Sequence, residues 1–206
     1  MTKDLSIKDL LLPYVVMVVV IFIMQDATYV FILSCIAIIS LVFLIGLRIK
    51  DINICVLAMM NLSSILIENL LFSTGLISLY SDEENRLLQN SIIFGLSMVR
   101  ELLILVLLTY RIEITKSLFP KHQIRATFAD SMMPWLYLIG AAISFFALIE
   151  NYFRNAKGYD ITFFFYAFEI TGYLIFSTIC AMLVALTVIS YKEAYELKVP
   201  TIKKRG

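Results

Sequence analysis

The stretch LLQNSIIFGLSMVRELLILVLLTY, residues 87–110, decides the fold. As a helix it is about 36 Å long, enough to cross the roughly 30 Å hydrocarbon core of a bilayer. Its only formal charges are the adjacent pair Arg100-Glu101, near its middle. Its polar side chains Asn90, Ser97 and Glu101 recur at helical spacing and form one stripe. Such a segment is a buried membrane helix with one face turned to other protein, because lipid satisfies neither a charge nor an amide.

The same reading extends along the chain. Hydropathy gives six spans, at about 10–24, 29–47, 52–72, 87–110, 132–153 and 161–191. The composition agrees: 61% of residues are hydrophobic and 16% charged, with a mean hydropathy of +0.89, where a soluble domain carries roughly 25% charged residues. The expected fold is an all-α, polytopic membrane helix bundle of about six transmembrane helices, forming a single transmembrane domain over 1–206. The first span is short and has Pro13 in its first turn, where proline is tolerated. It reads as a retained anchor rather than a cleaved leader, because Gln25-Asp26-Ala27 is a poor cleavage site. The sixth is longer than the hydrocarbon core and should tilt or project beyond it.

Charge sets the orientation. Of the 17 Lys and Arg residues, 13 fall on one side: 3, 8, 48, 50, 111, 116, 121, 125, 192, 198 and 203–205. Arg86, Arg154 and Lys157 fall on the other, and Arg100 within a span. The positive-inside rule then places both termini, the connecting segment 111–131 and the tail 192–206 in the cytoplasm of a multi-pass protein of the cytoplasmic (inner) membrane. In 111–131 apolar and basic residues interleave, a pattern that suits a plain connection or a strip lying on an anionic leaflet. A net charge of +1 gives no basic footprint for nucleic acid.

Five ionisable residues lie within spans: Glu68, Arg100, Glu101, Glu150 and Glu169. Each costs at least about 2.5–3.5 kcal/mol to place at membrane depth, which marks it as a candidate functional residue. Counting helical rise puts Glu68 and Glu150 at matching depth in the outer third, Glu169 about 12 Å in from the outer face and Arg100-Glu101 near the midplane. Asn61, Ser64, Glu68 and Gly75 form one stripe on their helix, while Tyr166, Glu169 and Tyr173 share a face of the last span. Gly140, Ser144, Ala147 and Asn151 form a small-residue seam for close helix approach, with Glu150 about 100° away from it. Adjacent residues diverge on a helix, so Arg100 is expected to pair with Glu68 or Glu169 on another span rather than with Glu101. Carboxylates beyond that pair must be protonated or hydrated, either of which suits proton exchange or cation binding.

Known chemistry is otherwise lacking. The single histidine, His122, lies in a loop, and Cys35, Cys55 and Cys180 lie on separate spans without metal-ligand spacing. The sequence offers no cofactor site and no catalytic motif; only a Glu-dependent intramembrane activity would make it an enzyme. Two readings stand. One is a small transporter or channel-like protein whose outer-half glutamates, with Asn61, Asn151, Tyr166 and Tyr173, bind a proton or small cation. The other is a membrane interaction protein, self-associating or bound to a membrane partner as an effector, an immunity or exclusion factor or a transporter subunit, whose buried charges pin helix packing. Resemblances between spans, such as Leu-Ile-Glu-Asn at both 66–69 and 148–151, are what helices of limited alphabet share by chance or through repetition.

Overall fold

A computed structural model of the chain describes residues 28–73 and 86–196, together with Val15. The first predicted span, the outer acidic run 81–84 and the tail beyond 196 lie outside the described residues, as do Gly75 and the side chain of Glu68. Among the described residues there are six helices and no strand: α1 (Thr28–Ile49), α2 (Ile52–Ser73), α3 (Arg86–Thr109), α4 (Arg111–Leu118), α5 (Phe128–Lys157) and α6 (Phe163–Glu196). Four of them, α1, α3, α5 and α6, are long and apolar enough to cross a membrane.

Two tight corners shape the bundle. Between α1 and α2 the chain turns through Lys50, which adopts left-handed φ of 59°, so that the Asp51 N–H reaches back to the Gly46 carbonyl at 3.0 Å. Asp51 then accepts the Asn53 N–H at 2.9 Å and caps α2. Gly46 is where these two helices touch, since a Cβ there would stand 3.0 Å from Cys55 Sγ. At the far end of α5, Gly158 takes φ of 75° and the Tyr159 N–H closes on the Phe153 carbonyl at 3.2 Å, turning the chain into α6.

The most extensive packing is α3 against α5, followed by α5 against α6 and α1 against α2 and α6. The α5 seam is buried as its spacing requires: Gly140, Ser144, Ala147 and Asn151 all face inward. The core runs through Phe31, Ile39, Leu57, Met133, Ile179 and Leu183, while Leu44, Leu103, Leu107 and Trp135 point outward as lipid-facing residues do.

Within 111–131 the chain is helical at both ends, in α4 and in the first residues of α5. Tyr110 barely interrupts the helix: the Ile114 N–H bonds the Tyr110 carbonyl, and α4 continues to Leu118. The start of α5 is set four residues before the hydropathy boundary. Thr127 donates through both its N–H and its hydroxyl to Asp130 Oδ2, at 2.6 and 2.8 Å. Arg111, one of the basic residues counted on the cytoplasmic side, is fully buried.

Candidate functional site

A cavity of about 400 Å³ lies between α1, α2, α3, α5 and α6. Phe31, Ile65, Ile93, Ile143, Phe168, Tyr173, Ile175 and Phe176 give it apolar and aromatic walls, and Arg100, Glu101 and Glu169 bring charge to it. Asn69, Ser97 and Thr171 add neutral polar groups. A concave apolar space with a few convergent polar groups is the usual form of a small-molecule site.

Glu101 is its most constrained charge. Its Oε2 accepts the Ser144 hydroxyl at 3.0 Å and its Oε1 lies 3.2 Å from Arg100 Nη2, with the residue 6% exposed. Gly140 is what admits it, since a Cβ there would fall 2.7 Å from Glu101 Oε1 and 3.1 Å from Ile175 Cδ1. The helix-face argument against an Arg100–Glu101 pair is therefore overturned. Cβ directions diverge by about 100° between neighbours, but a guanidinium on a three-carbon stem swings back over that angle. The Arg100 guanidinium also lies over the Phe176 ring, 5.6 Å from its centroid. Tyr173 lines the cavity edge-on to Phe31, with ring centroids 4.8 Å apart.

Glu169 also lines the cavity but remains exposed. It has no hydrogen-bond or ion-pair partner among the described residues, and the expected Arg100–Glu169 pair does not form. The remaining predicted site residues are elsewhere. Tyr166 points outward and is 61% exposed. Asn61 lies in the core, where its Oδ1 accepts the Tyr137 hydroxyl at 2.8 Å and its amide donates to the Leu57 carbonyl. Asn151 joins α5 to α3, donating to the Leu87 carbonyl at 2.9 Å and to Ser91 Oγ at 3.0 Å.

Glu150 has a different task from the one its depth suggested. Its two carboxylate oxygens accept the Phe164 and Phe165 N–H groups at 2.7 and 2.9 Å. It thus caps the N-terminus of α6 from the neighbouring helix, where orphan donors and the helix dipole favour an anion. One turn on, Arg154 stacks over Phe165 at 4.5 Å and seals the same corner.

A second polar cluster, at the opposite end of α5, was not anticipated. Arg111 pairs with Asp130, which lies 11% exposed, and donates to Asn53 Oδ1 at 3.2 Å and to the Arg125 carbonyl at 3.0 Å. Arg125 reaches Glu193 at 2.7 Å and Ser190 Oγ at 3.3 Å, while Ser190 donates to Asp51 Oδ2 at 2.8 Å. These contacts tie the α1–α2 corner, the loop before α5 and the end of α6 together. The Thr127-x-x-Asp130 spacing is a readable helix-start signal, but nothing adjacent in sequence identifies Arg111 as its partner.

Comparison with known protein families, with curated proteins and with solved structures finds no match to this chain.

Proposed function

We propose that the chain is a six-span membrane protein, both termini cytoplasmic, that binds and moves a proton or small cation through the interhelical cavity. The observation that carries this reading is the charge arrangement around that cavity. Glu101 is held by Ser144 and neutralised by Arg100, whereas Glu169 on the facing helix is left over. A spare carboxylate at membrane depth is unfavourable unless it is hydrated or meets a proton or a cation, and each of these suits proton exchange or cation binding. Arg100 then serves as the internal counter-ion of Glu101.

The test is flux into proteoliposomes carrying an entrapped pH indicator, under an imposed potential and with sodium or potassium outside. Wild-type protein is expected to pass protons or cations faster than empty vesicles. Glu169→Gln should abolish the excess flux with protein level and melting temperature unchanged. Wild-type flux equal to that of empty vesicles would overturn the proposal. It would favour the interaction-protein reading, which draws its support from Glu150 and Asn151, membrane-depth polar groups that act as helix glue.

A further inference from the structure

Resting on the cavity as the binding site, we propose that its substrate is a hydrophobic organic monocation, seated with its charge against Glu169 and its apolar body among the rings of Phe31, Phe168, Tyr173 and Phe176. The charge balance points this way. Among the described lining residues one guanidinium faces two carboxylates, a net charge of −1. The guanidinium is already engaged by Glu101 through Nη2 and by the Phe176 ring.

A bare metal ion fits less well. Divalent cations need six or more oxygen ligands, or a tetrahedral set of nitrogen and sulfur ligands, within about 2.0–2.6 Å. Among the described residues no three His, Cys, Asp or Glu side chains converge, and both oxygens of Glu101 already have partners. An organic cation needs only one carboxylate and ring faces, which attract positive charge through their quadrupoles. Phe176 already does this for Arg100, and Phe31, Phe168 and Tyr173 bring further rings to the cavity. At about 400 Å³ the space falls in the range of small-molecule pockets, with far more room than a hydrated monovalent ion fills.

The experiment is saturable binding of radiolabelled tetraphenylphosphonium to the purified full chain in nanodiscs, with tetraphenylborate as the anion of matched shape. Wild-type protein should bind the phosphonium in preference to the borate. Glu169→Gln should weaken phosphonium binding at least tenfold, and Glu193→Gln, outside the cavity, should leave it unchanged. Melting curves establish that each variant is folded. Preference for the borate would overturn the cation assignment and leave the cavity reading standing. Equal phosphonium affinity in Glu169→Gln would overturn the role of that carboxylate. Saturable binding of neither probe would overturn both the substrate class and the cavity as a ligand site.

Discussion

Gly140 shows how a single missing methyl group sets the charge geometry. The carboxylate of Glu101 occupies the space a Cβ would take, and the Ser144 hydroxyl on the same helix fixes it there. Gly140→Ala should therefore push Glu101 off both Ser144 and Arg100 and cost about 1–3 kcal/mol, the usual scale of overpacking in a tight interface. A lowered melting temperature in detergent checks this, and combining the change with Glu101→Ala should recover part of the loss by removing the clash. Gly140 and Ser144 were legible in sequence as a seam, because spacing reports which residues share a face. The Arg100–Glu101 contact was not, because spacing fixes Cβ directions and says nothing of where a long side chain ends. The same limit hid the role of Glu150: its depth could be counted, but its partners are backbone N–H groups of another helix. Glu150→Gln keeps one acceptor and loses the anion, so it should destabilise the protein by about 0.5–2 kcal/mol, as cap removal does.

Helices end here by contacts that reach across the sequence, and two of the acid–base pairs at one end of the bundle differ sharply in worth. Arg111 is fully buried with Asp130 and Asn53, whereas the Arg125 and Glu193 side chains are each 47% exposed. Removing one partner of a buried pair strands the other and costs about 3–5 kcal/mol, while an exposed pair is worth about 0–1 kcal/mol. Arg111→Met should accordingly reduce folded protein severely, and Arg125→Gln should shift the melting temperature little, with a shift that shrinks further in high salt. Sequence alone ranked the two residues alike, since both read as basic flanks under the positive-inside rule. What separates them is Asp130, 19 residues from Arg111, and Asn53, 58 residues away. At the α1–α2 corner the local chemistry is simpler. Lys50 holds φ of 59° without being glycine, so Lys50→Gly should relieve strain and raise stability by up to about 1 kcal/mol.

The bundle as a whole was the most legible level, because a run of about 20 apolar residues has few homes other than a bilayer and reading it needs no knowledge of partners. The helices α1, α3, α5 and α6 fall on four predicted spans, though α5 starts at Phe128 and runs to Lys157, beyond both hydropathy limits. Its start was blurred because Thr127 and Asp130 are polar and lower the local hydropathy while they build the cap. The length of α5 has a topological consequence. Thirty residues of helix span about 45 Å, so the loop at Gln123 and the corner at Gly158 lie at opposite ends of one spanning element. The Lys and Arg bias assigns Gln123 to the cytoplasm and the corner to the outside. The native Cys35, Cys55 and Cys180 are all buried, so a cysteine placed at exposed Gln123 or Lys157 would report its own surroundings. In intact cells a membrane-impermeant maleimide should label Lys157→Cys and reach Gln123→Cys only after permeabilisation. The reverse pattern would invert the orientation and place Glu169, a short way into α6 from that corner, in the cytoplasmic half of the membrane. Labelling of both positions in intact cells would mean that α5 does not cross, and with it would fall the premise that the cavity between the helices lies inside a bilayer.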